Sequence, residues 1–280
     1  MKILITGAKG QLGTELIRLQ VPGIELIGVG RSEMDVTDET LVRSLVHDMK
    51  PDAIIHTAAY TAVDMAESHP DDAYRINVMG TRNVAVAAEE VGARLCYTST
   101  DYVFDGTVSV PYDEYDNTNP QTVYGKTKRA GEMLVQGLCS RWFIVRTSWV
   151  YGAHGSNFVK TMLTRSKELT KMRVVQDQIG SPTYTKDLAD LLLNLVSTNK
   201  YGIYHASNTG QCSWYEFARA IFNDAGIQTP LEPCTTDEFP RPAPRPQYSV
   251  LGHTALRANG FTLLRPWRQA LSKFLEEIRE

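Results

Sequence analysis

Lys2-Ile3-Leu4-Ile5-Thr6, running straight into Gly7-Ala8-Lys9-Gly10-Gln11-Leu12-Gly13, decides the fold. The apolar run ends on glycines, and Leu12, Leu16, Ile17 and Leu19 then repeat at helical spacing, which reads as strand, glycine turn, helix. Gly7, Gly10 and Gly13 stand as Gly-x-x-Gly-x-x-Gly. At a strand-to-helix junction such bare backbone lets a pyrophosphate reach the helix N-terminus. A tight turn with no ligand is the plain alternative, so the rest of the chain must decide between them.

Working outward, the pattern repeats. Glu25–Gly30 is a second apolar run, followed by a helix through Met49 that Thr37 or Asp38 would cap. Ala53–His56 reads as a third strand, Asp71–Val91 as one long helix, and Ala93–Ser99 as a fourth strand. A helix over Pro120–Leu138, with Pro120 in its first turn, leads to a strand at Trp142–Thr147 and a helix at Asn157–Glu168. Alternation of this kind predicts an α/β fold, a Rossmann-type doubly wound parallel sheet.

After about residue 150 the order loosens. Arg173–Val175 is a brief strand, Lys186–Val196 a helix, Tyr201–Ala206 a strand, and Ser213–Ala225 a helix capped by Ser213. Pro230, Pro233, Pro240, Pro242, Pro244 and Pro246 predict mostly loop, and Trp267–Arg279 closes the chain as an amphipathic helix. The expected division is a cofactor-binding domain over 1–150, with later segments returning to it, and a smaller substrate-binding cap made mainly from 151–280.

With 280 residues and 42% hydrophobic content, the chain can bury one large core or a main domain with a small second one. Apolar runs are short and no basic, apolar leader precedes the first strand, so we expect a cytoplasmic protein. A net charge of −3 with mixed signs gives no footprint for nucleic acid or an anionic membrane. Cys96, Cys139, Cys212 and Cys234 form no Cys-x-x-Cys pair and the six histidines no His-x-x-x-His, so neither a disulfide framework nor a zinc site is expected.

Chemistry concentrates between Thr98 and Lys128. Thr98-Ser99-Thr100-Asp101-Tyr102 places hydroxyls and a carboxylate at a strand end, and Tyr124-Gly125-Lys126-Thr127-Lys128 follows. On one helix Tyr124 and Lys128 share a face, and an ammonium near a phenol favours phenolate, giving a group for proton transfer. The same spacing arises by chance on surface helices; its place downstream of the glycine turn is what gives it meaning. Arg31, past the second strand, could reach the 2'-phosphate of NADP, and no acidic residue ends that strand to hold an NAD ribose. Asp35 and Val36 would lie beside the adenine, and Ala58-Ala59-Tyr60-Thr61 would line the middle of the cofactor.

The wide glycine spacing together with Tyr124 and Lys128 resembles the short-chain dehydrogenase/reductase proteins. In their extended members, which act on nucleotide sugars, a dehydratase usually shows Thr-Asp-Glu where this chain has Thr100-Asp101-Tyr102. Without that glutamate no base would remove the ring proton, so ketone reduction is favoured over loss of water. Ser99–Gly106, Gly10–Gly13, Ala58–Asp64, Arg146–Tyr151, Asp177–Thr183 and Pro244-Arg245-Pro246 closely resemble the dTDP-4-dehydrorhamnose reductase family across most of the chain.

That resemblance implies reduction of the C4 ketone of dTDP-4-dehydro-6-deoxy-L-mannose to dTDP-L-rhamnose with NADPH or NADH. It implies Tyr124 as general acid, Lys128 lowering its pKa and holding the nicotinamide ribose, and Thr100 bonding the ketone oxygen. Gln11, Leu12 and Thr98 join the glycines at the cofactor. Asp101, Tyr102 and Trp149 would meet the sugar, and Arg245, or the similarly placed Arg241, the diphosphate. Other readings are a reductase of a different nucleotide 4-ketosugar, or a non-catalytic NADP-binding regulatory subunit like the one that partners methionine adenosyltransferase in animals. Some family members hold magnesium at a dimer interface with three carboxylates. Glu15 and Glu277 match the outer two, but Lys186 takes the middle place, which implies no metal and a monomer or weak homodimer.

Overall fold

The computed structural model describes residues 1–279. Its centre is a six-stranded parallel sheet containing β1 (Lys2–Thr6), β2 (Glu25–Val29), β3 (Ala53–His56), β4 (Arg94–Thr100), β5 (Trp142–Thr147) and an edge strand at Gly202–His205. Across the sheet the order is β2, β1, β3, β4, β5, edge strand. Connections leave β1 toward β2 and then return to β3 on its other side, so a crevice opens at the carboxyl ends of β1 and β3.

Both faces of the sheet are covered, and for that reason its strands read as unbroken apolar runs. Ile3, Ile5, Ile55, Cys96 and Val145 face one layer, where Leu188, Leu192 and Leu195 of α8 (Thr185–Val196) pack against them. Leu4, Ile54, Leu95, Tyr97 and Ile144 face the other. There they meet Val42 and Val46 of α2 (Glu39–Met49) and Val84 and Ala88 of α5 (Thr81–Glu90). The α1 helix (Gln11–Arg18) starts directly from the glycine turn, and Asp38 caps α2 by accepting the Leu41 N–H at 3.0 Å.

Beyond β5, three short strand pairs join Val150–Tyr151 to Thr183–Tyr184, Ile179–Gly180 to Cys212–Ser213, and Met172–Val175 to Leu231–Cys234. Around them Tyr151, Val159, Phe217, Ile221 and Phe274 form a separate core, supplied by α7 (Phe158–Glu168), α9 (Trp214–Ala225) and the last helix, Trp267–Glu277. Ser213 and Glu216 close a reciprocal capping box on α9. Among the described residues no helix is long and apolar enough to cross a membrane.

Three expectations need correction. The long helix over 71–91 is interrupted: α4 (Pro70–Tyr74) passes into a π-helical stretch, Arg75–Gly80, before α5. The helix carrying Tyr124 and Lys128, α6, runs Val123–Leu138 with Thr122 as its cap, so Pro120 lies outside it. Part of the proline segment is strand rather than loop: Leu231–Cys234 pairs in parallel with Met172–Val175, and Pro233 is tolerated because the two strands form no wider sheet. An unforeseen helix, α3 (Val63–Ser68), precedes α4.

One buried ion pair fixes α6 to the sheet. Arg146 on β5 meets Glu132 on α6 through Nε–Oε1 and Nη2–Oε2 contacts, both 2.9 Å, and their side chains are 2% and 0% exposed. Ser99 on β4 donates to the same Oε1 at 2.6 Å and Arg129 to Oε2 at 3.1 Å. Removing one partner strands a charge in the core. Glu132→Leu is expected to cost about 3 to 5 kcal/mol in urea unfolding, and the volume-matched pair Glu132→Leu/Arg146→Met to recover most of that loss. A single variant as stable as the parent would show that the pair does not hold the helix.

Candidate active site

Every expected catalytic side chain lies at the carboxyl edge of the sheet, where strands end and helices begin. Gly7 adopts φ +67°, and a Cβ there would come within 2.7 Å of the Ala58 backbone nitrogen. At Gly13 a Cβ would sit 2.3 Å from the Gly7 carbonyl oxygen. Only glycine permits this close approach of turn, helix and the loop after β3, and α1 opens at Gly10 without a side-chain cap, leaving first-turn N–H groups for an anionic ligand. The turn therefore fits a dinucleotide.

At the end of β2, Arg31 is largely exposed and pairs with Asp35 at 3.2 Å. Lys9, from inside the glycine turn, reaches the Ser32 hydroxyl and Glu33, each at 2.9 Å. Lys9 and Ser32, neither marked by the sequence pattern, thus join Arg31 as candidates for a 2'-phosphate. Asp35 is engaged, accepting the N–H and hydroxyl of Thr37. Val36 buries its side chain in the core, leaving only backbone for an adenine.

The loop Ala59-Tyr60-Thr61 after β3 is held by Asn77 from the π-helical stretch. Asn77 accepts the Tyr60 N–H at 2.7 Å, donates to the Tyr60 carbonyl at 3.1 Å, and donates to Thr127 of α6 at 2.9 Å. The inserted residue of the π turn places one amide where it reaches both cofactor loop and catalytic helix, a frequent use of such turns. Nothing in the sequence pattern signals it.

On β4 the hydroxyls divide their duties. Thr98 donates to the His56 carbonyl at 2.9 Å, Ser99 to Glu132, and Thr100 to Asp101 Oδ1 at 3.0 Å while capping a short turn over Asp101–Val103. The α6 helix packs on that turn with no clearance, since a Cβ on Gly125 would lie 2.2 Å from the Tyr102 carbonyl oxygen. The rings of Tyr102 and Tyr124 consequently meet edge to face at 5.7 Å.

Burial governs the titrating groups. It raises the Tyr124 phenol to about 12, with the Thr100 hydroxyl opposing and Asp101 adding to the rise. It lowers the Lys128 ammonium to about 7 against the pull of Glu132. Lys128 Nζ donates to the Thr98 carbonyl at 2.6 Å and lies 4.1 Å over the Tyr97 ring, and the shift of the phenol comes from burial, Thr100 and Asp101. Asp101 is raised to about 6, burial outweighing the hydroxyls of Ser249 and Thr100, and its Oδ2 is buried without a partner. At neutral pH Tyr124 is thus a protonated donor beside a carboxyl poised to titrate.

The substrate side opens as a cleft of about 600 Å³ bordered by Tyr102, Phe158, Arg165, Trp214, Arg241 and Arg245. Arg245 and Arg241, indistinguishable in the sequence, both reach it, but Arg245 is the more buried. Trp149 takes the left-handed region at φ +47° and stacks on Trp214 with centroids 3.6 Å apart. A Cβ on Gly180 would strike its indole at 2.5 Å. No local pattern marks Trp214 or Arg165 as cleft residues, because only the packing of α7 and α9 brings them there.

Glu15, Lys186 and Glu277 do converge. Lys186 Nζ lies 3.8 Å from Glu277 Oε1, and Tyr184 donates to the other oxygen of Glu277. Burial and then Glu277 raise the Glu15 carboxyl, and Lys186 opposes. An ammonium among these carboxylates does not fit a site for a divalent cation.

A profile of the RmlD substrate binding domain matches residues 1–280. The chain is 47% identical to a spore coat polysaccharide biosynthesis protein of Bacillus subtilis, covering 99% of this chain and 97% of that protein. It is 42% identical to the dTDP-4-dehydrorhamnose reductase of Aggregatibacter actinomycetemcomitans, covering 96% and 97%. A crystal structure of dTDP-4-dehydrorhamnose reductase from Bacillus anthracis in complex with NADP superposes with a TM-score of 0.97 at 47% identity, covering 99% of each chain. Matched along its whole length by the profile, and at above 40% identity over nearly all of both sequences by its relatives, this chain belongs to the dTDP-4-dehydrorhamnose reductase family.

Proposed function

We propose that the protein reduces the C4 ketone of dTDP-4-dehydro-6-deoxy-L-mannose, giving dTDP-L-rhamnose, the last step in making that sugar donor, in the cytoplasm. The observation that carries this reading is the Tyr124 phenol, a proton donor raised further by desolvation and set beside the Thr100 hydroxyl at the end of β4. When bound, NADPH or NADH supplies the hydride. The glycine turn and the N-terminus of α1 would hold its pyrophosphate, Lys9, Arg31 and Ser32 a 2'-phosphate where one is present, and Lys128 the nicotinamide ribose. Ala59, Tyr60 and Thr61 would line the middle of the cofactor.

Thr100 would hold the ketone oxygen, and Tyr124 would give that oxygen its proton as the C4–H bond forms. A developing alkoxide is a far stronger base than a phenolate, so a phenol at about 12 still transfers downhill. Tyr102 fills the position next to Asp101 with a ring rather than a carboxylate, which favours reduction over loss of water. Asp101 and Trp149 would orient the sugar, while the cleft takes the nucleoside diphosphate with Arg245. In this reading 1–150 carry the cofactor side and most of 151–280 the substrate side.

The direct test is turnover of dTDP, UDP and GDP 4-ketosugars with each nicotinamide; absence of reduction with the dTDP-ketosugar would overturn the reading. Tyr124→Phe should lower the single-turnover hydride-transfer rate by about 100-fold to 10,000-fold with NADPH binding retained, and unchanged turnover would remove Tyr124 from the mechanism.

Asp101 gives a prediction of opposite sign for stability and activity. Its folded-state pKa lies above its unfolded value, so its contribution to stability falls as pH rises from about 4 to 6 and then stays low. Asp101→Asn should therefore raise urea-unfolding stability by about 3 kcal/mol at pH 8 and by about half that at pH 5, while KM for the ketosugar increases. A variant less stable than the parent at pH 8 would show that the carboxylate is not penalised.

The placement of Lys186 supports a metal-free monomer or weak homodimer. Dialysed protein is expected to hold far less than one magnesium per chain, with sedimentation unchanged by EDTA; stoichiometric magnesium would refute this.

A further inference from the structure

The proline-rich loop that carries Arg245 is tied to the cofactor side of the crevice by a single carboxylate. Asp64 stands in the first turn of α3, a few residues beyond the Ala59-Tyr60-Thr61 loop. Its Oδ1 lies 2.9 Å from Arg245 Nη2 and accepts the Ala243 N–H at 3.2 Å. Arg245 Nη1 in turn donates to the Ala243 carbonyl at 3.0 Å. Carboxylate, peptide and guanidinium thereby close a ring. Arg241 approaches the same carboxylate only to 3.9 Å.

Other contacts fix the loop beyond the arginine. A Cβ on Gly106 would lie 2.4 Å from Pro246 Cβ, and Tyr248 donates its N–H to the Gly106 carbonyl at 3.2 Å. The loop thus rests on α3 at one end and on Gly106, in the loop after the Asp101–Val103 turn, at the other. Among the cations bordering the cleft, the Arg245 side chain is 18% exposed, whereas Arg241, Arg173 and Lys171 are 51%, 46% and 53% exposed. Arg245 is the one whose side-chain freedom is already spent. A guanidinium fixed on one edge by a carbonyl acceptor and an ion-paired carboxylate keeps its other N–H groups for a planar anion, and little order remains to be imposed when that anion arrives.

We propose that Asp64 is a positioning residue: through Arg245 and Ala243 it pre-sets the guanidinium in the cleft for the diphosphate of the nucleotide sugar. The loop is thereby indexed to the cofactor loop, and the distance from diphosphate to reacting ketone is fixed before substrate binds. This rests on the reading of the cleft as the nucleoside-diphosphate subsite.

The test uses dTDP as the calorimetric probe, together with steady-state reduction of the dTDP-ketosugar. Asp64→Asn should weaken dTDP binding and raise KM about 3-fold to 10-fold, the cost of ordering one long side chain on binding, with kcat and NADPH affinity close to the parent. Asp64→Glu should recover part of the loss. In an Arg245→Gln background Asp64→Asn should have no further effect, since Asp64 acts through Arg245. Arg245→Lys keeps the charge but cannot span Asp64 and Ala243, so it should lose dTDP affinity nearly as fully as Arg245→Gln. This variant decides the matter if Asp64→Asn fails to fold. Unchanged dTDP affinity in Asp64→Asn, an undiminished loss in the Arg245→Gln background, or full affinity in Arg245→Lys would each overturn the proposal. Failure of the parent itself to bind dTDP would instead sink the underlying reading of the cleft.

Discussion

The geometry of the crevice depends on the buried pairing of Glu132 with Arg146. A fully desolvated ion pair contributes little net stability compared with a well-packed apolar substitute, so its value lies in what it fixes. Glu132 is one helical turn beyond Lys128 and two beyond Tyr124, on the same face of α6. Arg146 and Ser99 grip that carboxylate from two adjacent strands and so set both the rotation and the height of the helix above the sheet. An apolar contact could slide by a fraction of an ångström; a bidentate pair with a third donor cannot. The close approaches of Gly125 to the Tyr102 carbonyl and of Gly131 to the Tyr97 hydroxyl are permitted only at that height.

A second consequence is a dry interior behind the catalytic face. His56 is held near 3 by burial and then by the nearby Lys128 charge, and its ring is fixed between the Thr6 and Thr81 hydroxyls. Lys128, Asp101 and Tyr124 are all pushed toward their neutral forms by the same desolvation. In such surroundings, charge developing on a ketone under reduction would be felt strongly by the nearest donors, which in the proposed mechanism are the hydroxyls of Thr100 and Tyr124. Lys128 donates to the Thr98 carbonyl from within the same desolvated face.

Much of this was legible in the sequence because it is local. Strands buried on both faces must be apolar throughout, and β1, β3, β4 and β5 announced themselves that way; Gly7 and Gly13 were readable because no other residue fits a turn so tight. What escaped depends on direction or distance. Spacing of i and i+4 says that Lys128 is near Tyr124, but not that its ammonium turns to Thr98. One extra residue in a helical turn leaves the apolar pattern almost untouched, so the π stretch that aims Asn77 was invisible. Leu231–Cys234 becomes a strand only because Met172–Val175 lies beside it, and prolines concealed it.

Trp149 shows how the cap and the sheet constrain each other. A bulky residue in the left-handed region costs of order 1 to 3 kcal/mol and persists only where its surroundings over-determine it. Here three features do so: the face of Trp214 at the start of a capped helix, the bare backbone of Gly180, and the Ser148 hydroxyl donating to the Ser181 carbonyl at 2.7 Å. Two of these belong to the short strand pair Ile179–Gly180 with Cys212–Ser213 and its flanks, and the third to the exit of β5. The indole that would meet the sugar is therefore set by contacts from both cores. A change in the cap that shifts Trp214 would reach the ketone end of the site without touching any residue that handles the proton.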